Sequence, residues 1–144
     1  MTPKYWIIVA SKDHVMRGVS LGIAQSGHGK RSGLAQMNKG DMITFYSPKI
    51  RFESDEPLHA FTAIGEIADE DVFQVEELPD FKPFRRTVRY IKTGEVRIRS
   101  LIPDLTFIRN KKIVGLYVQV RHSGNSRRGF FPYFRKISKC ILTL

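Results

Sequence analysis

The residues best suited to chemistry stand in a glycine-rich stretch, Gln25-Ser26-Gly27-His28-Gly29-Lys30, and in two runs that mix arginines with aromatic rings. An amide, an imidazole and an ammonium group on one loop offer hydrogen-bond donors to a ligand, and loops often carry function. A solvated loop is the plain alternative. The first mixed run holds Phe84, Arg85, Arg86, Arg89 and Tyr90; the second holds Arg127, Arg128, Phe130, Phe131, Tyr133, Phe134 and Arg135. Cations beside rings are what phosphate contact together with base stacking requires.

Other chemistries fail on spacing. A P-loop needs glycine where this chain has Ala24 and Ser or Thr where it has Arg31, and a dinucleotide fingerprint from Gly27 needs glycine at Ser32. His14, His28, His59 and His122 lack the three- or four-residue spacing of a helical metal pair, and Cys140 stands alone, so no metal is expected. No nucleophile elbow accompanies the serines. Asp69, Glu70 and Asp71 read as a solvated turn rather than as an acid–base pair. Trp6, inside an apolar strand, reads as core, with a pocket-lining role open because its indole N–H is polar.

Charge points to a partner. The 144 residues carry 24 Lys and Arg against 14 Asp and Glu, a net +10. Ten of those acids lie between 53 and 80 with no Lys or Arg among them, so the charge is polarised. A polyanion fits this distribution better than simple solubility does. The length and the 42 % hydrophobic content suit one domain, residues 1–144, with its own core. The apolar run from Trp6 to Ala10 is too short to cross a bilayer or to serve as a secretory signal. With one cysteine, a cytoplasmic location, no membrane and no redox cofactor are expected.

The elements that must position these residues are mostly short strands. Lys4 to Ala10 predicts a buried strand, and Ser11 with Asp13 starts a helix that stops near Gly18 or Gly22. Gly22 to Gly33 reads as loop. Asn38-Lys39-Gly40-Asp41 predicts a turn into a strand, Met42 to Tyr46, that Pro48 ends. Strands follow at 60–67 and 72–76, then a hairpin of 87–91 and 95–99 around Lys92-Thr93-Gly94. Pro103 predicts a short helix, Val114 to Val120 another strand, and Tyr133 to Leu142 a closing element. The predicted class is α+β: a small, mostly antiparallel barrel or curled sheet with peripheral helices.

Taken in order, several of these segments resemble the EVE domain family. They are Tyr5-Trp6-Ile7, Gln25 to Lys30, Met37 to Asp41 leading into Tyr46-Ser47-Pro48, Phe61 to Gly65, Phe84-Arg85-Arg86 and Leu105 to Asn110. The pattern departs at Phe84, where many relatives have tryptophan, and after Gly115. The resemblance implies a PUA-like curled antiparallel β-barrel with short flanking helices, related to the YTH readers of methylated adenine in RNA. It also implies a non-catalytic binder of a modified nucleobase, most specifically modified cytosine in DNA. The candidates for the base pocket are then Trp6, Ser11, Gln25, His28, Lys30, Tyr46 and Ser47. Those for the nucleic-acid backbone are Arg85, Arg86, Arg89, Arg127 and Arg128.

Two rival readings keep their own discriminators. An enzyme acting on a phosphorylated small molecule would use His28 and Lys30 with Arg85 or Arg86. A structural adaptor would assemble through the opposed charges and dissociate as salt screens them.

Overall fold

The computed structural model describes residues 3–25 and 29–97, and the backbone of 117–120. Among the described residues nine elements follow one another: β1 (Tyr5–Val9), α1 (Lys12–Leu21), β2 (Ile23–Ala24), α2 (Ser32–Ala35), β3 (Met42–Lys49), β4 (Pro57–Ile67), β5 (Phe73–Gln74), β6 (Phe84–Arg97) and β7 (Tyr117–Val120). The strands form a curled half-barrel sheet in the order β2-β6-β4-β3-β1-β7, with β5 pairing beside β2 on β6. The predicted antiparallel pairing holds except for β1 with β3, which is parallel, Ile7 opposite Thr44. The short helix expected at Pro103 and the closing element expected from Tyr133 to Leu142 lie outside the described residues. Of the last predicted strand, 117–120 is seen, antiparallel to β1.

The apolar β1 is explained by its neighbours, since it is paired on both sides and its side chains are sealed. Trp6, Ile8, Ile43, Phe45, Ala63 and Ile67 meet Val15, Leu34 and Met37 in one core, which α1 and α2 help to close. The loop predicted from Gly22 to Gly33 in fact contains β2 and α2. Two- and four-residue elements leave too little periodicity to read. Gly22 caps α1 in the left-handed conformation, as the predicted stop requires.

Two strand ends differ from expectation for one physical reason, irregular register. β3 runs through Pro48 because its pairing with β1 finishes at Tyr46, beyond which that side of the strand needs no amide donor, and its register with β4 shifts between Ser47 and Lys49. The hairpin at Lys92-Thr93-Gly94 does not form. β6 is one strand of 14 residues. Its register against β4 slips between Phe61 and Ala63, placing Gly94 in a bulge, and again between Ile64 and Gly65, leaving Ile91 without a partner.

A buried cation ties these parts together. Arg86 of β6 is 0 % exposed. Its Nε donates to Asp69 Oδ1 at 2.7 Å, its Nη2 to the Asp69 carbonyl at 2.9 Å, and its Nη1 to the carbonyls of Leu34, at 2.9 Å, and Met37. Asp69 in turn accepts the Thr87 amide at 2.6 Å. The predicted solvated turn at Asp69 is therefore an anchor. Breaking a buried ion pair from one side typically costs about 3 kcal/mol or more, because the partners are left unpaired. Arg86→Met is expected to lower the free energy of unfolding by about 3 kcal/mol in a denaturant titration, and Arg86→Lys to restore little of it, since an ammonium cannot span the same acceptors.

Candidate nucleic-acid binding pocket

A cavity of about 560 Å³ opens where the end of β1, α1, β2, β3 and β6 converge. Its floor is built from Phe45 on β3 and Tyr90 on β6, whose rings stack with centroids 6.0 Å apart at 29°. The Tyr90 hydroxyl donates to the Ile23 carbonyl at 2.7 Å, and burial pushes its phenol well above the ordinary value. Helix α1 lies this close only because residue 18 is glycine: a Cβ there would sit 2.8 Å from the Ile23 carbonyl oxygen and 3.4 Å from the Tyr90 hydroxyl.

Rings and cations share the rim. His14 and Phe52 stack at 5.0 Å and 19°, and Phe52, 47 % exposed, is held by its amide on the Asp13 carboxylate and by the Lys49 ammonium 5.2 Å from its ring. Phe81 lines the other side. It lies against Gly29, which has φ +79° and where a Cβ would fall 2.6 Å from Pro83, so Gly29 is held against the segment before β6. Lys30, Arg17 and Arg85 complete the rim, and no acidic side chain is among the described lining residues.

Polar groups are aimed rather than scattered. Ser11 Oγ donates to Asp13 Oδ1 at 2.5 Å. Arg85 Nε donates to Gln25 Oε1 at 3.0 Å, which fixes the amide and leaves its NH₂ end as the donor. Arg85 Nη2 donates to Glu77 Oε2 at 2.8 Å, and Arg17 donates to the other oxygen of the same carboxylate.

Of the residues expected in the base pocket, Ser11, Gln25 and Lys30 line the cavity, and His28 lies outside the described residues. Trp6, Tyr46 and Ser47 do not line it. Trp6 is 2 % exposed, with its indole N–H donating to Asp41 Oδ2 at 2.9 Å, so its polar edge is satisfied inside the core. Asp41 also accepts the amides of Lys4 and Asn38, at 3.0 and 2.9 Å. Tyr46 and Ser47 lie beyond Phe45 on β3, past a register shift, and are buried: the Tyr46 hydroxyl meets His59 Nδ1 at 3.1 Å, and Ser47 meets Thr62 at 2.8 Å.

Among the backbone candidates, Arg85 stands at the rim, but Arg86 is a correction: its guanidinium is sealed against Asp69 and two carbonyls and has no surface to offer. Arg89 is exposed and paired with Glu66. Arg127 and Arg128 lie outside the described residues. The acidic segment is partly neutralised within the chain, Glu66, Asp69, Glu70 and Glu77 each pairing with a Lys or Arg, which weakens the adaptor reading. Phe45, His14, Arg17, Phe52 and Phe81 carried no signal of their own in the sequence. Tyr90 did, as the ring beside three arginines.

A model of the EVE domain matches residues 4–144. A UPF0310 protein of Mycolicibacterium vanbaalenii is 50 % identical over 106 residues, covering 74 % of this chain and 73 % of that one. A UPF0310 protein of Bacillus licheniformis is 42 % identical over 120 residues, covering 83 % and 82 %. Among solved structures, the YTH domain of Mmi1 superposes with a TM-score of 0.60 over 98 % of this chain and 99 % of that one at 8 % identity, a likeness of fold.

Two carboxyls behind the rim respond to acid. The Arg17 guanidinium, with Arg85 beside it, holds Glu77 below the ordinary carboxylate value. At Asp13 burial opposes ionisation, but the Ser11 hydroxyl and the Phe52 and His14 amides outweigh it and lower the value. Both groups titrate lower folded than unfolded, so their contribution is complete above the unfolded range near pH 4 and is lost as pH falls through the folded values. Thermal melting from pH 6 to pH 2 is expected to show a smaller acid loss in the Asp13→Asn, Glu77→Gln double variant than in the wild type.

Proposed function

The chain belongs to the EVE domain family, and on that footing we propose that it is a non-catalytic module that takes one modified nucleobase out of a nucleic-acid strand, most specifically a modified cytosine in DNA. The observation that carries the reading is the cavity itself: a floor of two stacked rings, a fixed amide donor at its wall and three cations at its mouth. Its size falls in the range of specific small-ligand sites. A base drawn out of its strand needs stacking, hydrogen bonds to its edge and counter-charge for its phosphates. Phe45, Tyr90 and the rim rings supply the first. The Gln25 NH₂ supplies a donor to ring acceptors such as N3 and O2 of cytosine. Lys30, Arg17 and Arg85 supply the third.

The fold neighbours support the same reading at the level of partner class. One solved structure is the YTH domain-containing protein Mmi1 with RNA, which superposes with a TM-score of 0.59 over 96 % of this chain and 81 % of that one at 8 % identity.

Titration with oligonucleotides carrying cytosine, 5-methylcytosine, 5-hydroxymethylcytosine, adenine or N6-methyladenine, in DNA and in RNA, tests the proposal. A preference for one modified base that persists across salt concentrations is expected. Equal binding to all, with only a steep salt slope, makes the protein a general polyanion binder instead. Lys30→Ala is expected to weaken every strand alike and to flatten the salt slope by about one phosphate contact. Tyr90→Leu is expected to cost about 1–3 kcal/mol of affinity for the preferred base.

A further inference from the structure

Arg17 on α1 and Arg85 on β6 come from distant parts of the chain and converge on a single acid, Glu77. Each guanidinium takes a different oxygen of that carboxylate. A phosphate group presents two non-bridging oxygens in the same manner, and arginine pairs are suited to either anion. Both arginines line the cavity mouth, whereas Glu77 stands outside the lining. We propose that the Glu77 carboxylate occupies a phosphate site, and that the backbone phosphate next to the captured base exchanges for it. The inference deepens the nucleic-acid reading above and rests on it.

The surroundings suit an exchange. Glu77 opens a tight turn in which its amide and that of Leu78 both donate to the Phe81 carbonyl at 3.1 Å, and the Phe81 amide donates back to Leu78 at 3.0 Å. The backbone of the acid is thus fixed beside a rim ring, and rotation of its side chain alone releases the two cations. Gln25 keeps its hold on Arg85 Nε when Glu77 leaves, so that guanidinium stays aimed at the mouth. Arg17, more than half exposed, is free to follow an incoming phosphate. Lys30 stands on the same mouth with no ion pair among the described residues, so departure of Glu77 leaves three cations facing one strand.

The consequence is a threshold. Any strand gains the two arginine contacts only by displacing Glu77, so every strand meets the same cost, and a strand with a favoured base adds the pocket's own binding to those contacts. Glu77 acts here as an internal competitor for the phosphate and touches no base. A permanent brace is the competing role, in which Glu77 holds the arginines for the ligand and its loss weakens binding.

The test uses the full chain and a single-stranded DNA oligonucleotide with either cytosine or 5-methylcytosine, titrated at several salt concentrations against the wild type, Glu77→Gln and Glu77→Asp. Glu77→Gln is expected to bind both strands roughly two- to five-fold more tightly, the range of a solvent-screened ion pair, and to leave the ratio between them unchanged. Glu77→Asp, too short to bridge both arginines, is expected to show part of that gain, and it decides the matter if Glu77→Gln fails to melt cooperatively. In an Arg17→Gln background the gain should shrink. Unchanged or weaker binding by a folded Glu77 variant overturns the exchange, and if the wild type still prefers one strand, the base reading survives it. A gain at Glu77 without any base preference leaves the phosphate site standing and removes the base pocket.

Discussion

The fold depends on one buried guanidinium. Arg86 is fully buried, and a charge in that position persists only if its donors find acceptors. They find them on two segments at once: the carbonyls of Leu34 and Met37, at and just beyond the end of α2, and Asp69 after β4. The same residue pairs through its backbone with Ala24 of β2, the strand that walls the cavity. Fixing Arg86 therefore fixes where Gln25 begins and where Arg85, its neighbour, emerges. The site's wall is a by-product of how one arginine is satisfied.

The second constraint is parity along the strands. Adjacent residues of a strand face opposite sides, and each bulge resets the alternation. Phe45 and Tyr46 are neighbours in sequence, yet the first floors the cavity and the second bonds His59. On β6, the unpaired Ile91 separates Tyr90, which packs on Phe45, from the stretch beyond. His59 itself has φ 53° within β4, where the strand departs from regular register against β3. The sheet's irregularities decide which rings a ligand meets.

These two constraints explain what could be read from the chain and what could not. β1 was legible as an unbroken apolar run, α1 as a short helical face stopped by Gly22, β3 by the turn that opens it, and β4 by the apolar run that ends on an acidic turn. β2 and α2 are too short to show a period, and the expected hairpin at Gly94 was a bulge because glycine after a polar pair signals both. Ser11, Gln25, Lys30 and Arg85 were legible as polar groups at the ends of elements. Trp6 and Arg86 were misassigned for a common reason: a residue type suited to ligands is equally suited to a buried bond, and the deciding partners, Asp41 and Asp69, lie far away in sequence. Family membership likewise located the glycine loop and the Arg85 segment but not the inward rings Phe45 and Tyr90.

The place of β1 has a consequence for how the molecule is made. Its apolar strand is flanked by β3 on one side and β7 on the other, so Ile7 must find both Thr44 and Val118. Pairings of such sequence separation carry a loop-closure entropy that local helices avoid, and they slow folding. During synthesis the first strand emerges early, while its second partner waits for residue 117. In that interval one edge of an uncharged strand, Tyr5 to Val9, stands open to any other chain in the same condition. Arrival of residues 117–120 is what closes that edge.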